Sequence, residues 1–141
     1  MQGRLRRVVY VGLYEAIAIA VVTLGLMLMS DADAGSSGAL AVATSAIAMV
    51  WNVVFNRAFE QWEARQAVRG RSLRRRIAHA IGFEGGLSVI LVPLMAWWLG
   101  VSLWQALVMD IGLLLFFLAY TFAFTWAFDR VFGLPRSAQP V

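Results

Sequence analysis

The chain has 141 residues, 61% of them hydrophobic and 14% charged, a mixture too apolar for a soluble domain and suited to lipid. It has no cysteine and one histidine, so disulfides, thiolate sites and histidine metal cages are excluded and no cofactor is expected. The net charge is +4, but the basic residues flank apolar runs, which points to anionic lipid headgroups as their partners and away from nucleic acid.

Four apolar stretches can each cross about 30 Å of hydrocarbon at roughly 1.5 Å per residue. The first is predicted at 8–29, after Arg4, Arg6 and Arg7. Arginines, an apolar run and Ala32-Asp33-Ala34 also resemble a secretory leader, but the run exceeds the roughly 7 to 15 residues of a leader's apolar core, so the helix is expected to stay. Asp31 to Gly38 is a Ser/Gly/Asp cluster and reads as a loop. The second span is predicted at 39–59, and Arg57, Glu60 and Glu63 stand at helical spacings that carry it past the bilayer. Mixed charge from 61 to 74, with Gly70 as a break, forms the middle connection. The third span, 77–99, contains Pro93, which removes one backbone donor and makes a kink there plausible. A short turn at Gly100 leads to the fourth, 104–128, followed by a tail with Pro135 and Pro140 that reads as loose.

All 12 basic residues are arginines, confined to 4–7, 57–76 and 130–136, while 30–38 and 99–103 carry none. The positive-inside rule therefore places both termini and the middle connection in the cytoplasm.

Shifting the sequence by 69 positions lays Arg6, Arg7, Tyr14 and Glu15 on Arg75, Arg76, Phe83 and Glu84. The same shift lays Phe55, Ala58, Phe59 and Glu60 on Phe124, Ala127, Phe128 and Asp129. The expected fold is an all-α membrane protein of four transmembrane helices, written as two tandem two-helix units at 1–68 and 69–141. Internal repeats in so apolar a chain point to transporters.

Each span carries a polar and aromatic stripe. Arg7, Tyr10, Tyr14 and Glu15 share one face of the first helix, as Arg76, His79, Phe83 and Glu84 do on the third. Trp51, Asn52, Phe55, Asn56, Phe59 and Glu60 line the second, and Tyr120, Thr121, Phe124, Thr125, Phe128 and Asp129 the fourth. Glu15 lies about 12 Å inside its helix end. Antiparallel packing within a repeat puts Glu60 level with Arg7 and Asp129 level with Arg76. Those four read as ion pairs that position the bundle. A carboxylate at the depth of Glu15 or Glu84 costs about 2 to 3 kcal/mol on insertion scales, which argues for a use. A carboxyl in such surroundings tends to hold its proton and can exchange it for a cation, and the neighbouring aromatic faces attract one. The structural alternative for Glu15 and Glu84 is a buried bond that ties helices together. His79 reads equally as a proton relay or a packing residue, and Asn52 and Asn56 as interhelical bonders or ligands. Asp110 has no acidic repeat counterpart, and it either lines an exit path or snorkels. Gly85-Gly86 offers a close helix approach, and Trp97-Trp98 an interfacial belt.

No nucleophile stands with a base and no phosphate loop is present, so no catalytic residue and no enzyme are expected. Short helices scarcely enclose a drug-sized guest, so a homodimer is expected. The competing functional reading is a membrane structural or assembly subunit that transports nothing.

Arg76-x-x-His79-Ala80-x-x-Phe83-Glu84-Gly85-Gly86-Leu87 and Trp51-Asn52-x-x-Phe55-Asn56-x-x-Phe59-Glu60 resemble the proteobacterial antimicrobial compound efflux family, built from two bacterial transmembrane pair units. The resemblance covers all four spans. Tyr10 departs from it where the first unit would carry histidine, and Thr121 and Thr125 stand where asparagines are expected. The resemblance implies proton-coupled export of cationic biocides such as chlorhexidine or acriflavine, or of short diamines, across a bacterial inner membrane.

Overall fold

A computed structural model describes residues 2–68, 70, 72–134 and 139. Arg69, Arg71 and Arg136 of the arginine pattern, and Pro135 and Pro140 of the tail, lie outside the described residues. Four α-helices make up the fold: α1 Gly3–Met29, α2 Ala34–Ala64, α3 Leu73–Leu99 and α4 Leu103–Phe132. All four are long and apolar enough to cross a membrane.

Every helix runs past its expected end on the arginine side. Lengths of 27 to 31 residues correspond to about 40 to 46 Å, so the extra turns reach the headgroup region, where arginine is well solvated. At the opposite end, α2 starts at Ala34, so the Ser/Gly segment expected as loop is its first turn. Asp33 explains the difference. Its Oδ1 accepts the Ser36 N–H at 2.7 Å and its carbonyl accepts the Ser37 N–H at 2.9 Å, an N-cap that overrides weak local propensity. Ser72 caps α3 by accepting the Arg75 N–H, and Gly100 ends it in the left-handed conformation at φ 66° that glycine tolerates. Pro93 lies within α3, whose helical assignment continues through it.

The helices divide into two compact units that cut across the repeats. Unit 1 comprises residues 1–38 and 111–141, hence α1 and most of α4; unit 2 comprises 39–110, hence most of α2, all of α3 and the start of α4. In unit 1 the buried apolar side chains are Ala18, Val22, Leu26 and Phe128. In unit 2, Leu40 and Ala41 of α2, Leu91, Met95 and Ala96 of α3, and Ala106 and Met109 of α4 are buried. Alanine is frequent in this set because close helix approach in lipid relies on small residues. Large apolar residues such as Leu28, Val89, Trp97 and Phe122 are widely exposed, as lipid-facing positions should be.

Candidate functional site

In unit 1, α1 and α4 meet through rings and hydroxyls. Tyr10 and Tyr14, one turn apart, stack with centroids 6.1 Å apart and planes at 9°. Phe124 stands edge-on to both, at 5.1 and 5.4 Å, and Phe128 edge-on to Tyr10 at 5.0 Å. Tyr10 and Thr125 share a hydrogen bond of 2.8 Å, as do Tyr14 and Thr121. Tyr120 donates its hydroxyl to the Tyr14 carbonyl at 2.8 Å. All three tyrosine hydroxyls are thus engaged within the unit. Glu15, half-buried, lies within electrostatic reach of Tyr14 and Tyr120.

The arginine end of unit 1 is latched. Arg6 donates to Asp129 at 2.5 Å and to the Gly133 carbonyl at 3.2 Å, and its guanidinium lies 5.0 Å from the Phe128 ring centroid. Asp129, expected level with Arg76, thus has Arg6 of its own unit as an ion-pair partner. Arg6 is the partner because it lies one turn before Tyr10 on the face turned to α4, whereas Arg7, about 100° further round the helix, is exposed. Glu60 and Arg76 are exposed as well.

In unit 2, α2 and α3 meet in the same way with different chemistry. His79 and Phe83 stack at 6.3 Å and 7°. Phe55 stands edge-on to both, at 5.1 and 5.8 Å, and Phe59 edge-on to His79 at 4.8 Å. His79 Nε2 bonds Asn56 Oδ1 at 2.8 Å, and Asn56 Nδ2 donates to the side chain and carbonyl of Asn52. Since that amide donates to Asn52, its oxygen faces the ring, and Nε2 is the nitrogen that carries hydrogen. Trp51 donates its indole N–H to the Phe83 carbonyl at 2.9 Å.

Glycines seat these rings. A Cβ built at Gly82 would stand 2.9 Å from Phe55 Cζ, and one at Gly86 would collide with the Trp51 indole, whereas Gly85 has open space. The expected close approach belongs to Gly82 and Gly86, four residues apart on one face, and Gly85 has no part in it. Glu84 is half-buried on the adjoining stripe. Asp110 does not snorkel: it is 8% exposed and accepts the Ser88 hydroxyl at 2.6 Å.

The two units are copies of one contact set. The repeat shift carries Tyr10–Thr125 onto His79–Asn56, Tyr120 to the Tyr14 carbonyl onto Trp51 to the Phe83 carbonyl, and the Tyr10–Tyr14 stack onto His79–Phe83. Of the residues expected to act, Tyr10, Tyr14, Glu15, Tyr120 and Asp129 gather in unit 1. Trp51, Asn52, Phe55, Asn56, His79, Phe83, Glu84 and Asp110 belong to unit 2. Sequence reasoning missed Arg6, Gly82 and Ser88 as contributors. The small-x-x-x-small spacing to Gly86 was a usable signal for Gly82, and the match of Arg6 to Arg75 one for Arg6; Ser88 carried none.

The chain is 36% identical over 126 residues to a short-chain diamines transporter of Acinetobacter baylyi, covering 89% of each chain. It is 33% identical over 135 residues to a short-chain diamines transporter of Vibrio parahaemolyticus, covering 94% of this chain and 96% of that one. No solved structure matches it. The family model described as chlorhexidine efflux transporter matches twice, at residues 2–65 and 71–134, which is the tandem repeat seen in the contacts. The chain, a multi-pass membrane transporter of small molecules, therefore belongs to the chlorhexidine efflux transporter family.

Proposed function

We propose that this protein is a bacterial inner-membrane exporter that exchanges protons for organic cations, either short diamines or cationic biocides such as chlorhexidine or acriflavine. Glu15 is the main exchange carboxylate and Glu84 its repeat counterpart. The observation that carries this reading is the recurrence, in both units, of a carboxylate directly after a stacked aromatic pair that is hydrogen-bonded to the facing helix. Aromatic faces attract a cation, and a carboxylate that holds either a proton or that cation couples the two flows. The names of the family and of the similar transporters support both substrate classes. The direct test is uptake of diamines and planar biocides into proteoliposomes with an imposed pH gradient. Transport that ignores the gradient would refute the coupling.

The arginine pattern supports an orientation with both termini cytoplasmic. A cysteine replacing Ser36 is expected to react with an impermeant maleimide from the periplasmic side, and one replacing Arg69 only after the membrane is opened. Labelling of position 36 from the cytoplasm would reverse the topology.

The working form is a homodimer. A pocket for a drug-sized guest needs about 300 Å³ or more, which a four-helix chain scarcely encloses. Single-molecule photobleaching in liposomes at high lipid dilution is expected to show two-step traces wherever transport is retained. Transport by particles that bleach in one step would overturn the dimer.

A further inference from the structure

The geometry points to Tyr10–Thr125 and His79–Asn56 as matched, interchangeable pairs that give the two halves of this transporter different selectivity: the first for aromatic or apolar cations, the second for small ammonium ions. This inference rests on the proposed cation export and assigns a substrate class to each half. The two pairs occupy equivalent places, each has a bond of 2.8 Å, and each ring is gripped edge-on by equivalent phenylalanines, Phe124 and Phe128 in one unit and Phe55 and Phe59 in the other. The longer reach of tyrosine is taken up by the shorter threonine, and the shorter reach of histidine by the longer asparagine. Mixed pairs would leave a gap or a clash, so the residues are matched two by two.

The surfaces presented beside each carboxylate differ in kind. In unit 1 the hydroxyls of Tyr10, Tyr14 and Tyr120 are all engaged internally, and the rest of the cluster, Phe117, Phe124 and Phe128, is hydrocarbon. A cation near Glu15 therefore meets ring faces, which reward a weakly hydrated or aromatic body. In unit 2 the Asn52–Asn56–His79 chain presents two amide oxygens that each take one hydrogen internally and keep a second lone pair, acceptor capacity suited to the N–H donors of an alkylammonium. Tyr10 and His79 are the selectivity residues, and Thr125 and Asn56 hold them in position.

The test exchanges the pairs in the full chain. Tyr10→His with Thr125→Asn copies unit 2 chemistry into unit 1; His79→Tyr with Asn56→Thr does the reverse. Equilibrium binding of acriflavine and of 1,5-diaminopentane is measured on purified protein, and gradient-driven transport of both in proteoliposomes. The acriflavine-to-diamine affinity ratio is expected to fall about tenfold in the first exchange and to rise about tenfold in the second, the size of one desolvated cation–π contact. Each single substitution should bind more weakly than its own double variant, a rescue that only matched pairs produce. Unchanged ratios in both exchanges, or doubles no better than singles, would overturn the inference. A wild type that transports neither cation would refute the export reading instead, while the binding ratios would still decide this one.

Discussion

Glu15→Gln is expected to abolish gradient-driven transport, with a loss of about a hundredfold or more, because a charge-assisted contact in a dry site contributes up to roughly 3 kcal/mol. Glutamine keeps the size and hydrogen-bonding ability of the protonated acid, so the helices should assemble as before and the Tyr14–Thr121 bond beside it should survive. The pH dependence has a definite sign. A proton and a cationic substrate compete for one carboxylate, so wild-type affinity should fall as pH is lowered, and Glu15→Gln should flatten that dependence. Glu84→Gln should leave a smaller residual transport defect, since unit 1 still exchanges. Uptake and binding measured between about pH 3.5 and 8.5, a range that spans ordinary carboxyl and histidine titration, would decide the matter. Full pH-dependent transport by Glu15→Gln would rule out its role, and full transport by the double variant would remove the carboxylate mechanism.

The second large effect is structural. Gly86→Leu drives a branched side chain into the space filled by the Trp51 indole, a rigid ring that is also tethered to the Phe83 carbonyl. Overpacking of this kind costs about 1 to 3 kcal/mol, and here the tether leaves the indole little room to yield. The expected result is a lower thermal midpoint in detergent and a blunted response of Trp51 fluorescence to added cation. Gly85→Leu is the control, because a Cβ there meets nothing within 4 Å, and its stability should stay within about 0.5 kcal/mol of wild type. If Gly86→Leu were as stable as Gly85→Leu, the seat would be no seat.

Those two glycines also show where sequence reading stopped. Apolar run length located all four helices, since crossing the bilayer demands about 20 residues and nothing in a chain of 141 hides such runs. Local cues misjudge the start of α2, because the Asp33 cap outweighs the weak helix formers Gly35, Ser36, Ser37 and Gly38. The repeat offset identified which residues are equivalent, yet it could not say which helices meet. A stripe on α1 is satisfied as well by the matching stripe of α4 as by that of α2, since both present an aromatic and a small polar residue at the same spacing. Hence the spacing sets Asp129 level with Arg76 and gives no hint of its ion pair with Arg6. Bonds from Trp51 and Tyr120 to main-chain carbonyls were likewise invisible, because every residue offers such an acceptor. Asp110 stayed ambiguous for a related reason: the serine that holds it stands on another helix, at no telling distance along the chain.

Pairing α1 with α4, and α2 with α3, bears on how the protein is made. Chains are synthesised from the N-terminus, and membrane helices associate after they are inserted. The second and third helices can join as soon as the third leaves the ribosome. The first must wait in the bilayer with Tyr10, Tyr14 and Arg6 uncommitted until the last segment has been translated, for their partners Thr125, Thr121 and Asp129 lie near the far end of the message. A product truncated before α4 would thus leave those three side chains without these partners, and polar groups unpaired in lipid are costly.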